Sequence, residues 1–107
     1  MAQFDVHTNP GRNRATIPYV VNIQSRRLDA VGTRVVVPLV RSSNPRNADP
    51  RLIPPFHVLS ELLFLNPLAL FTAPLSALGP VVASLAGDPD AGRIIAAIDE
   101  VIRQAYG

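Results

Sequence analysis

The chain of 107 residues is 48% apolar and has no cysteine, so its core must form without disulfides and thiolate metal sites are excluded. Its formal charge of +2, from ten arginines and eight acids, is too small to argue for nucleic-acid binding by itself. No charged-then-apolar leader pattern opens the chain, and with the missing cysteines this leads us to expect a cytoplasmic protein of one domain spanning residues 1–107.

Residues 3–8 alternate, with Phe4, Val6 and Thr8 on one face and Gln3, Asp5 and His7 on the other, which predicts a half-buried strand. Asn9-Pro10-Gly11 marks a turn. A second strand is expected over Ile17–Ser25, with Tyr19, Val21 and Ile23 opposite Asn22 and Gln24. After a loop carrying Gly32, a third strand follows over Arg34–Arg41. Val35, Val37 and Leu39 share one of its faces, yet Val36 and Val40 are also apolar, so this strand should be covered on both sides and central. Pro18 and Pro38 cannot donate to a ladder and belong at a strand start, an edge or a bulge. Ser42–Pro50 reads as a loop.

From Leu52 to Gly87 the only charged residue is Glu61. The uncharged run is long enough to raise a membrane span. Pro67, Pro74 and Pro80 would each break a helix interior, so buried strands at Phe56–Leu59, Leu62–Leu65 and Ala69–Thr72 explain it better. An exposed apolar patch used for self-association accounts for the surplus. The last element is a helix, with Asp88 as N-cap and Pro89 as its first residue. Ile94, Ile95, Ile98, Val101, Ile102, Ala105 and Tyr106 form its apolar stripe, and Ile94, Ile98 and Val101 are expected to pack on the sheet.

Charge is unevenly spread. Residues 1–53 hold eight arginines against three aspartates, a balance of +5, and residues 54–107 hold two against five acids, a balance of −3. The basic half reads first as a solvated face, and then as a surface for an acidic partner. Little looks catalytic. His7 and His57 sit in separate predicted strands and read as surface histidines. Ser25, Arg26 and Arg27 cluster at a strand end and read first as a polar loop. No phosphate loop, dinucleotide fingerprint or zinc spacing is present, and no cofactor is expected.

The order and spacing of several segments resemble the CcdB family of bacterial toxins. These are Gln3-Phe4-Asp5-Val6, Tyr19 to Ser25 with Leu28-Asp29 and Gly32, Arg34 to Leu39, Leu52-Ile53-Pro54 with Val58, Leu78-Gly79, Val82, Ser84-Leu85, and Ile94 to Asp99. The resemblance implies a mainly β (α+β) fold: a small SH3-like antiparallel barrel of about five strands, a short extra sheet and one C-terminal helix. It implies a non-enzymatic toxin of a type II toxin–antitoxin module that dimerises and traps the A subunit of DNA gyrase on cleaved DNA. A CcdA-like antitoxin would neutralise it, operator DNA would be met only through that antitoxin, and no membrane is involved.

Residue by residue, Tyr106 and Gly107 match the family's terminal aromatic–glycine pair. The preceding Phe and Asn of well-known members align with Ala105 and Ile102, and an isoleucine pair after the second strand aligns with Arg27 and Leu28. The family motif ends on an apolar residue with no counterpart after Gly107. Two other readings stay open: a CcdB-like protein that binds an antitoxin without poisoning gyrase, and a MazF-type endoribonuclease.

Overall fold

The computed structural model describes residues 2–41 and 49–102. Its organising strand is β3 (Thr33–Val40), and the reason is its composition: apolar side chains on both faces need cover on both sides. One edge of β3 pairs antiparallel with β2 (Tyr19–Asn22), Val21 opposite Val37. The other edge is shared. Its first half pairs with β6 (Phe71–Pro74), Val36 opposite Phe71, and its end pairs with β5 (Glu61–Leu65), Leu39 opposite Leu65. Pro38, which has no N–H to give, sits where neither β6 nor β5 is paired.

β1 (Asp5–Thr8) adds to the far side of β2, and β7 (Val81–Ser84) adds to β1. β4 (Pro55–Val58) closes the other end against β5. All seven strands form one antiparallel sheet, ordered β4-β5-β3-β2-β1-β7 with β6 branching from β3. With α1 (Asp90–Ile102) it makes the expected mainly β fold with one C-terminal helix, a curled half-barrel in which the strands expected as a short extra sheet belong to the same sheet.

The larger core lies between the curled sheet and α1: Phe4, Val6, Val21, Val37, Leu39, Phe56, Val58, Leu63 and Leu65 close over Ile94 and Ala97. Arg93 fastens the helix to β4, with its guanidinium 4.4 Å from the Phe56 ring centroid and a hydrogen bond donated to Pro55 O. On the opposite face Val20, Val36 and Ala73 form a smaller cluster with Ile17 and Leu78. The lone charge of the apolar stretch, Glu61, pairs with Arg41 at 2.6 Å; Arg41 also donates to Ala15 O.

Several expectations are corrected. His7 is buried, not a surface histidine, because the second sheet face is covered at β1; its Nδ1 lies 2.9 Å from Gly79 O. Val101 is 40% exposed, and Ala97 takes the buried place assigned to it, since the helix face turned to the sheet runs through Ala91, Ile94, Ala97 and Ile98. The strand expected at Ala69–Thr72 lies at Phe71–Pro74, because Pro67–Ala69 forms a 3-10 turn. β7 is an addition. The hairpin β4–β5 turns on Leu59 and Ser60, at φ of 51° and 69°, so Glu61 belongs to the strand. The helix proper begins at Asp90, and Ala91 N and Arg93 N reach back to Gly87 O and Pro89 O, so the expected start at Asp88-Pro89 is its lead-in turn. Of the Ser42–Pro50 loop, residues 42–48 lie outside the described residues.

Candidate functional site

The expected contact residues fall on two elements. Arg27 and Leu28 lie in the 3-10 turn Arg26–Leu28, in the connection between β2 and β3. Ser25 caps this turn, its Oγ accepting a hydrogen bond from Arg27 N at 3.2 Å. Ser25, Arg27 and Leu28 line a shallow depression of about 360 Å³. Leu28 is 52% exposed. Neither Arg26 nor Arg27 forms an ion pair within the described residues. The turn therefore presents cations beside one apolar side chain.

Ile102 occupies the last described turn of α1 and is 73% exposed, a large apolar side chain in water. Ala105, Tyr106 and Gly107 lie outside the described residues. α1 packs on the 3-10 turn Pro67–Ala69. Exposed Leu68 and Ile95 stand on that pair of adjoining elements, helix and turn, and Leu70 and Phe71 follow the turn.

The histidines do not meet. His57 is exposed on β4, and His7 is buried on β1, four strands away in the sheet order. Ser25 and Arg27 thus share a depression without an imidazole base beside them. No group of three or more His, Asp or Glu side chains among the described residues is arranged to hold a metal. No helix among them is long and apolar enough to cross a membrane.

One feature was not legible in the sequence: a groove of about 420 Å³ on the second sheet face. Its floor is Ile17, Val20, Ala73 and Leu78, and one wall is the β1–β2 loop. Asn9 shapes that loop, donating from Nδ2 to Asn13 Oδ1 and Ile17 O and accepting from Gly11 N. Arg12 and Arg14, both exposed, stand on the same loop. Asn9-Pro10-Gly11 signals the turn, but the opposite wall comes from residues 71–78, which no local pattern connects to it.

A family model described as CcdB protein matches residues 3–103, which includes every strand and the whole described helix. No curated protein matches the chain.

Proposed function

We propose, from the premise that this chain belongs to the CcdB family, that it is the toxin of a type II toxin–antitoxin module. It acts as a homodimer, binds the A subunit of DNA gyrase and traps the cleaved-DNA complex, and it works by binding rather than catalysis. A CcdA-like antitoxin neutralises it and carries the contact to operator DNA. The proposed target puts its action in the cytoplasm. The observation that carries the reading is the length of the family match, since residues 3–103 include nearly the whole chain.

The surface is consistent with binding. Ile102 leads towards the aromatic–glycine pair Tyr106-Gly107, with Ala105 between, and Arg27 and Leu28 offer a second contact. The decisive assay mixes the protein with gyrase, ATP and supercoiled plasmid, and linear DNA is expected to accumulate after detergent treatment. Tyr106→Ala should weaken gyrase A binding by about 2 kcal/mol or more, roughly thirtyfold, with the unfolding midpoint unchanged. A lowered midpoint with intact binding would move the site off Tyr106. No cleaved DNA at all, with antitoxin binding retained, would leave the antitoxin-only reading.

Self-association and antitoxin binding are read together by sedimentation. Exposed Leu68, Leu70, Phe71 and Ile95 support a dimer, so the chain should run at twice 11.5 kDa at micromolar concentration. The groove, with exposed Arg12 and Arg14 on the loop that walls it, suits an acidic tail that places an apolar side chain on Val20 and Leu78. An antitoxin tail peptide should add its mass to the dimer, and Arg12→Glu with Arg14→Glu should abolish the shift. A monomer sinks the dimer, and an undiminished shift puts the tail elsewhere.

A further inference from the structure

The segment that presents Arg27 and Leu28 has almost nothing of its own to hold it. Every side chain from Arg26 to Gly32 is exposed, so no apolar anchor ties it to a core. It is held instead by its carbonyls. Leu28 O accepts from Gln24 Nε2 at 3.0 Å, and Gly32 O from Leu75 N at 3.2 Å. Apart from bonds within the turn itself, the other bonds to these carbonyls come from one side chain. Arg34, 4% exposed at the start of β3, donates from one guanidinium nitrogen to Val31 O at 2.6 Å and Thr33 O at 2.8 Å, and from the other to Asp29 O at 3.2 Å. The Asp29 carboxylate lies 3.8 Å away and is itself partly exposed. Arg34 Nε has no partner among the described residues.

We infer that Arg34 is the positioning residue of the partner-contact turn, its buried guanidinium holding Arg27 and Leu28 in the binding conformation before a partner arrives. Stability alone is a poor reason for such a residue, because replacing a buried ion by a well-packed apolar side chain is often neutral or stabilising. A planar fork gathers three carbonyls at fixed angles, which lysine, a point donor, cannot do. A turn ordered in advance loses less conformational freedom on docking, so the gain appears as affinity. The inference rests on the gyrase reading in that Arg27 and Leu28 meet gyrase A.

The test compares wild type, Arg34→Met and Arg34→Lys by amide hydrogen exchange, affinity for purified gyrase A and urea unfolding. The Leu28, Asp29 and Val31 amides, which donate within the turn, report its order without any partner. In Arg34→Met they should exchange about tenfold faster than wild type, with gyrase affinity lowered about tenfold and the β2 and β3 amides unchanged. Arg34→Lys keeps a cation for Val31 O and Thr33 O and should fall between wild type and Arg34→Met in both readings. Unfolding midpoints should order the other way, methionine at or above lysine. That opposition separates positioning from packing. Turn amides unchanged in both variants would overturn the clamp, as would affinities that follow the midpoints. If Arg34→Met does not fold, Arg34→Lys with wild-type exchange and affinity overturns it equally. A wild type that fails to bind gyrase A overturns the gyrase reading, and the recognition role with it, whereas binding by wild type with a loosened but equally tight variant overturns the role alone.

Discussion

Ile94→Ala is expected to lower the unfolding free energy by about 2–5 kcal/mol, the range for truncating a fully buried branched side chain. Ile94 is wholly buried in the larger core, between the sheet and α1, where no neighbour can move in to refill the space without giving up its own contacts. A loss of that size is a large part of a small domain's whole stability. Ile98, only half-buried against the same core, should cost less, about 1–2 kcal/mol by the area it removes from water. Val101→Ala should fall within about 0.5 kcal/mol, as surface changes do. Urea denaturation of the three variants checks the order; equal losses at 94 and 101 would mean that the helix faces the sheet differently.

The second large effect is steric. A Cβ at Gly79 would collide with Thr8 Oγ1 and come within 2.8 Å of Thr8 O. The hydroxyl could rotate away, but the carbonyl cannot, because it accepts the hydrogen bond from Gly79 N at 3.1 Å. The next residues are also tied, with Thr8 N donating to Pro80 O and His7 Nδ1 set against Gly79 O. Gly79→Ala should therefore destabilise by about 1–3 kcal/mol, or more if β7 separates from β1. Adding Thr8→Ala removes the hydroxyl collision and leaves the carbonyl one, so the double variant should recover only part of the loss. Full recovery would show that the backbone approach is not as close as it looks, and no loss in Gly79→Ala would deny it altogether.

What could be read from the sequence follows from how each signal arises. β3 was plain because Val36 and Val40 are apolar on the face that alternation leaves for polar groups, and only burial on both sides accounts for that. The same rule misled at His7, Asn22 and Gln24. They look like the wet face of half-buried strands, yet all three are buried. Asn22 Oδ1 accepts from Gln24 N, and Gln24 bonds Leu28 O and Val35 N, so polar side chains replace water for loose backbone groups. β7 had no signal, because Val81-Val82-Ala83-Ser84 does not alternate apolar with polar residues. The helix stripe was legible, but not which part of it would meet the sheet, since Ile95 and Ile102 satisfy helical spacing as well as Ile94 does. Of the candidate site, Arg27, Leu28 and Ile102 were found as exposed residues by family likeness. Arg34 and the groove depend on contacts between distant segments, which local patterns do not record.

The divided edge of β3 bears on how the chain assembles. Its pairing with β2 closes across one connecting turn, whereas the pairings Val36–Phe71 and Leu39–Leu65 close long loops before any bond rewards them. An early β2–β3 hairpin would carry an open edge, apolar on both faces, until two later strands divided it between them. Such an edge is a template for the wrong strand, including one from another copy. Pro38 lies within it and withholds one donor from any intruder that tries to zip along its full length. The residue that marks the boundary between β6 and β5 in the finished sheet would thus guard the unfinished one against aggregation.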